Sequence, residues 1–215
     1  MGTTIITIMN TDLLTLTQWL SPAFPLGSFA YSHGLETAIA SGDVTDAQTL
    51  QAWLRVVLTQ GTGIVDATLL CRTMEGQDLG NVARALAASR ERLEEAEAQG
   101  AAFVDTVNKI TGDAQAVAPL PVAVGVAARS LSLSTEDVAA LYLHAFISNL
   151  VSAAVRFVPL GQSAGQAVLS ALHADIAETA RRAVTMTLDD LGAAAPGADM
   201  AAMKHETQDV RIFKT

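Results

Sequence analysis

From Asn10 onward, apolar residues return at intervals of three and four almost without a break, whereas strand-like alternation extends beyond a few residues only at Thr4 to Met9. Such a period lets a helix hide one face, and a chain made of it must stack helix on helix. The pattern predicts an all-α, single-domain bundle of about eight to ten helices over residues 10–191. An N-terminal extension (1–9) precedes it, and a loop with a flexible C-terminal tail (192–215) follows.

Local signals divide the bundle. Asn10, Thr11 and Asp12 are N-cap types ahead of a first helix that Pro22 and Pro25 stop, and a second helix starts near Ser32 and ends at Gly42. Thr45 and Gln48 have capping-box spacing, Gly61 and Gly63 break the helix that follows, and Asn81 to Ala88 is a short one. Arg90 to Ile110 opens with Glu91, Arg92, Glu94, Glu95 and Glu97, which read as a solvated face. Pro119 and Pro121 restart the chain, Ser134 and Asp137 cap a helix ended by Pro159, and Gln162 to Leu191 reads as one long final helix.

Half of the 215 residues are hydrophobic and only 16% are charged, so the surface is expected to hide more apolar area than a monomer needs. A formal charge of −9 has the wrong sign for a phosphate backbone, which argues against nucleic acid as a partner. The 18 uncharged residues Val138 to Val155 reach the lower limit for a membrane span. Their His144, Ser148, Asn149 and Ser152 favour a helix at the centre of a bundle, and no membrane partner is expected. No Lys or Arg precedes Arg55, so the positive region of a secretory signal is missing and a cytoplasmic chain is expected. Cys71 stands alone and reads as a small buried hydrophobe.

Phosphate-loop, zincin and nucleophile-elbow motifs do not occur. The histidines, His33, His144, His173 and His205, are scattered, and His205 with Glu206 and Met203 is the nearest approach to a ligand set; no metal ligands are assigned. Ser21 to Glu36 concentrates two prolines, two glycines and two aromatics between helices. It reads either as a rigid connection plugged by Phe29 and Tyr31 or as a polar partner surface carrying Tyr31, Ser32 and Glu36.

Within that segment, P-L-G-S-F-A-Y-S-H-G-L-E from Pro25 to Glu36 resembles the signature of the UreF family of urease accessory proteins. Ser89, Arg90 and Glu91 with Gln99 and Gly100, then Ala153 to Arg156 with Pro159 to Gln162, resemble further family segments in the right order. Pro196 to Met200 and His205, Glu206, Arg211, Ile212 and Phe213 resemble its closing pattern. Ala30, His33 and Lys214 depart from it, and Lys214 replaces a forked donor with a point charge.

The resemblance implies an all-α adaptor without catalytic residues or a cofactor of its own. It would sit between a UreD/UreH-like protein and the UreG GTPase, serve apo-urease through the complex, and form a homodimer. Nickel and GTP would be handled by the complex. On this reading Pro25, Gly27, Phe29, Tyr31, Ser32, Glu36, Arg156, Gly161 and Gln162 face UreG, with Arg156 either an arginine finger or a partner of helix-end carbonyls. His205, Glu206, Arg211, Ile212 and Phe213 face the UreD-like protein from a tail that orders on docking. A passive chaperone of the UreD-like protein would use the same contacts. A rival from another class is a helical enzyme or small-molecule binder with Tyr31, Glu36 and His144 around a pocket.

Overall fold

The computed structural model describes residues 11–192 and 195–215. The possible strand at Thr4 to Met9 and the Asn10 cap lie outside the described residues. Among the described residues there are eleven α-helices and no strand. They are α1 (Thr11–Trp19), α2 (Leu35–Ala40), α3 (Ala47–Thr59), α4 (Thr62–Met74), α5 (Gly80–Ala85), α6 (Arg90–Thr111), α7 (Leu120–Ala128), α8 (Thr135–Ala154), α9 (Gln162–Ala171), α10 (His173–Thr185) and α11 (Pro196–His205). The all-α expectation holds.

Capping explains where the longer helices begin. Asp46 accepts the Thr49 amide at 2.8 Å, and Thr49 closes a capping box that starts α3. Ser89 and Ser134 cap α6 and α8 in the same way. Pro119 is the residue before α7, so residues 112–119 run as an extended connection instead of a kinked helix. The expected final helix divides at Leu172 into α9 and α10 and ends at Thr185, because the chain turns to pack α9 on α3 and α10 on α4 and α8.

Helix α8 occupies the centre, with α3, α4, α9 and α10 against it, and α7 bridges α4 to α6. Its Leu143, Ile147, Leu150 and Val151 are fully or almost fully buried. Among the described residues two stretches, Ala47–Met74 and Thr135–Ala154, are long and apolar enough to cross a bilayer, and half or more of each is buried against the protein's own helices. At one end of the core, Phe103 of α6 meets Trp19 edge-on at 5.9 Å and Phe24 at 5.8 Å between ring centroids. Cys71 is buried in this core, and burial pushes its thiol up to about 12, which suits an inert packing group.

The C-terminal segment from residue 195 packs on the bundle. Helix α11 lies against α2 and α6, and beyond it Phe213 and Thr215 are buried. The physical reason is a set of polar side chains on α2 and α6 whose partners the tail supplies.

Candidate functional site

Of the α6 residues expected to be solvated, Glu94 is exposed and Glu97 half-buried, whereas Glu91, Arg92 and Glu95 are buried. Glu91, Arg92, Glu95 and Gln99 are each less than a tenth exposed, and Glu91, Glu95 and Gln99 follow one another at four-residue steps on one side of the helix. His33, the end of α11 and the tail cover them, and the result is two buried polar clusters side by side.

The first cluster centres on Glu95. Arg92 pairs with its carboxylate, Gln99 Nε2 donates to Oε1 at 2.8 Å, and the Thr215 hydroxyl donates to Oε2 at 3.2 Å. Burial alone would raise the Glu95 pKa, but the charge of Arg92, and then the contact with His33, hold it down at about 2. His33 Nε2 stands 2.7 Å from Arg92 Nη1 and 2.8 Å from Glu95 Oε1. Burial, then the neighbouring guanidinium, lowers the His33 pKa, so the ring is neutral at pH 7, and its Nδ1 finds no partner.

Next to this cluster lies a cavity of about 200 Å³, lined by Asp66, Arg92, Glu95, Gln99, Tyr142 and Phe146 among others. The Tyr142 hydroxyl donates to Asp66 Oδ2 at 3.0 Å. Burial raises the Asp66 pKa to about 6 against the opposing charge of Arg92, and raises that of Tyr142 well above the ordinary phenol. The predicted pocket of Tyr31, Glu36 and His144 does not form here: none of the three lines this cavity. Glu36 serves the tail, and the His144 ring pairs with His173.

The second cluster joins α2, α6 and the tail. His205, fully buried, places Nδ1 2.7 Å from Glu91 Oε2 and Nε2 3.2 Å from Glu36 Oε2. Glu36 also accepts the backbone amides of Ile212 at 2.9 Å and Phe213 at 3.0 Å, and Arg211 Nη1 donates to Glu91 Oε1 at 2.5 Å. Both carboxylates are therefore occupied as acceptors, and the imidazole between them is satisfied when both ring nitrogens carry hydrogen. Glu206 caps the start of α6 through the Arg90 amide at 2.9 Å.

Backbone conformation makes this convergence possible. His33 and Gly34 have φ of 57° and 74°, a left-handed pair that turns the chain into α2. At Gly34 a Cβ would stand 2.5 Å from the Ala202 amide nitrogen, so α11 crosses where only glycine leaves room. Gly100 plays the same part for α7, since its Cβ would meet the Ala118 carbonyl oxygen at 1.9 Å.

The two residue sets assigned to different partners thus meet at one junction. The Lys214 amide donates to the Ala30 carbonyl at 2.7 Å, and the Ser32 amide to the Thr215 carbonyl at 2.8 Å. Arg156 donates to the Phe29 carbonyl at 3.2 Å and lies 6.0 Å over the Phe213 ring, which also packs on Phe157. Tyr31, Ser32, Glu36, His205 and Phe213 are buried within the junction; Pro25, Phe29, Arg211 and Ile212 are exposed, and Gly27 and Glu206 are half-buried at its edge. Gly161 and Gln162 are exposed at the start of α9 and take no part in it. The sequence reading places Arg92 and Glu95 on a solvated face and does not single out Asp66 or Tyr142. The four-residue spacing on α6 was the available signal.

A sequence model of the UreF family matches residues 44–173. The urease accessory protein UreF of Cereibacter sphaeroides is 57% identical over 210 residues, covering 96% of this chain and all of the relative. The chain belongs to the UreF family. Its likeness to the family extends to UreF of Dinoroseobacter shibae, 50% identical over 205 residues with 94% and 98% coverage, and of Bradyrhizobium diazoefficiens, 42% identical over 222 residues with 94% and 91% coverage. These alignments cover almost the whole chain, whereas the matched family region alone excludes both the Pro25 to Glu36 loop and the tail. Membership in a family of urease accessory proteins makes an accessory role, and partners within urease maturation, the coarse functional assignment.

Among the described residues no group of three or more His, Cys, Asp and Glu side chains could hold a metal ion. In both clusters the charged groups are matched with one another, an arrangement that fixes position.

Proposed function

We propose that this chain is the adaptor of a urease-maturation complex, bridging a UreD/UreH-like protein and the UreG GTPase during GTP-dependent nickel insertion into apo-urease. The observation that carries the reading is the ledge made where the tail hydrogen-bonds to the Ser28–Ala30 turn. On it Phe29, Val210 and Ile212 are 66%, 79% and 71% exposed, while the polar groups beneath them are paired internally. Large apolar side chains beside an arginine are the usual anchors of an interface, and here Arg156 stands next to Phe29.

In this account loop and tail act as one surface, so a change on either side weakens capture of both partners. Arg156, which donates to the Phe29 carbonyl, presents the ledge and influences the GTPase through it. The chain itself supplies no reacting group, pairs with a second copy of itself, and works in the cytoplasm.

The test is co-purification of the tagged chain with the UreD-like protein and UreG, comparing the parent with a Phe29→Ala/Ile212→Ala variant. Capture is expected to fall by about a thousandfold in affinity for the double variant, two anchors at about 2 kcal/mol each, with helix content unchanged. Undiminished capture of both partners would overturn the proposal.

A further inference from the structure

Away from this junction, α8 and α10 bring two imidazoles together. The His144 and His173 rings have centroids 5.6 Å apart and planes inclined at 46°. Neither ring makes a hydrogen bond or ion pair with another group among the described residues, in contrast to His33 and His205, whose polar contacts lie inside the buried clusters. His144 is half-buried and His173 exposed, so the pair is open on one side.

We propose that His144 and His173 form a two-imidazole site for a divalent first-row transition ion such as nickel, copper or zinc. The spacing supports this. With a metal at 2.0–2.1 Å from each nitrogen, an imidazole centroid lies about 3.2 Å from the ion, so two rings sharing one ion stand about 4.6 to 6.4 Å apart. The observed separation falls within that interval. Both residues sit on helices packed against each other, which limits how far the two rings can part.

Imidazole nitrogen suits these borderline ions over magnesium or calcium, which take oxygen. Water completes the coordination, since no third histidine, cysteine or carboxylate forms a group with the pair. The site therefore exchanges its ion more readily than a closed four-ligand site does. It stands independently of the adaptor reading, because neither histidine lies on the ledge.

The experiment titrates the purified full-length chain with nickel chloride and, separately, zinc chloride by calorimetry, alongside His144→Gln and His173→Gln variants. His173 is exposed, so its variant retains the fold; circular dichroism checks both. The expected result is one ion per chain, with affinity reduced by about tenfold or more in each single variant and no further loss when the two are combined, because a chelate is lost once. A second readout is paramagnetic broadening of the two imidazole NMR signals by nickel before those of His33 and His205. Unchanged affinity in both variants, or no binding by the parent chain at millimolar ion, would overturn the proposal.

Discussion

The core around α8 and the junction around α6 are buried to the same degree and held by opposite means. Leu143, Ile147, Phe103 and their neighbours gain from leaving water, in any arrangement that packs well. Glu36, Glu91, Glu95, Arg92 and His205 lose hydration on burial and recover it only in one arrangement, because each has specific partners. The core decides that the chain folds, and the junction decides where its loop and tail are placed.

The contrast predicts different responses to mutation. Phe103→Ala, which removes the ring between Trp19 and Phe24, should have the largest effect, about 3–5 kcal/mol of stability in denaturant melts, with no volume-conserving rescue short of another large apolar residue. Arg92→Met should cost about 3 kcal/mol, because it leaves Glu95 charged and buried. Adding Glu95→Leu should restore much of that loss, a rescue that truncating a second core residue never gives. If the double variant is no more stable than Arg92→Met, the junction is not governed by charge matching.

Next in size, Gly34→Ala should cost about 2 kcal/mol through its positive φ and the clash with Ala202, and should speed hydrogen exchange at Ile212 and Phe213 while core amides keep their protection. Equal loosening of both regions would erase the distinction between them.

Much of this division was legible in the sequence. Apolar residues at helical spacing mark the core because a dry interface needs only the right period, and α8 begins at the expected Ser134 cap, whereas the capping box of α3 is Asp46 with Thr49, one residue beyond the expected Thr45 and Gln48. The charged face of α6 was misread for a physical reason: charge ordinarily signals solvent, and only the distant partners His33, His205 and Thr215 make Glu91 and Glu95 interior residues. No local window contains both halves of such a pair. The family resemblance identified Pro25 to Glu36 and the tail as important, but assigned them to separate faces, since sequence order says nothing of the hydrogen bond between Lys214 and Ala30. The break between α9 and α10 was hidden for a similar reason, because the stripe of apolar residues continues through Leu172.

The smallest effects are in the pH dependence and carry opposite signs. Glu95 has its folded-state pKa depressed to about 2, so its contribution is present above its unfolded value of 4.5 and is lost as pH falls toward 2. Asp66 has its folded-state pKa raised to about 6, so its contribution is full below 3.8 and is lost as pH rises through 6. The rise from 3.8 to about 6 bounds the gain of Asp66→Asn over the parent at about 3 kcal/mol at pH 8. Because Asp66 is only half-buried, a gain of about 1 kcal/mol is expected there, vanishing below pH 4, measured as the difference in denaturation midpoints. A gain that grows on acidification would contradict the placement of Asp66 as a half-buried acid beside Tyr142.

The claim that loop and tail form one partner-binding surface is tested most directly at Glu36, which is buried beneath that surface and holds His205, Ile212 and Phe213 in place. Urease activation is measured in cells lacking their own UreF, supplied with the parent chain or with Glu36→Gln, with recovery of the UreD-like protein and UreG read from the same lysates. The account predicts that Glu36→Gln lowers activation and recovery of both partners together while the chain remains helical and expressed. Full activation with both partners retained would contradict it.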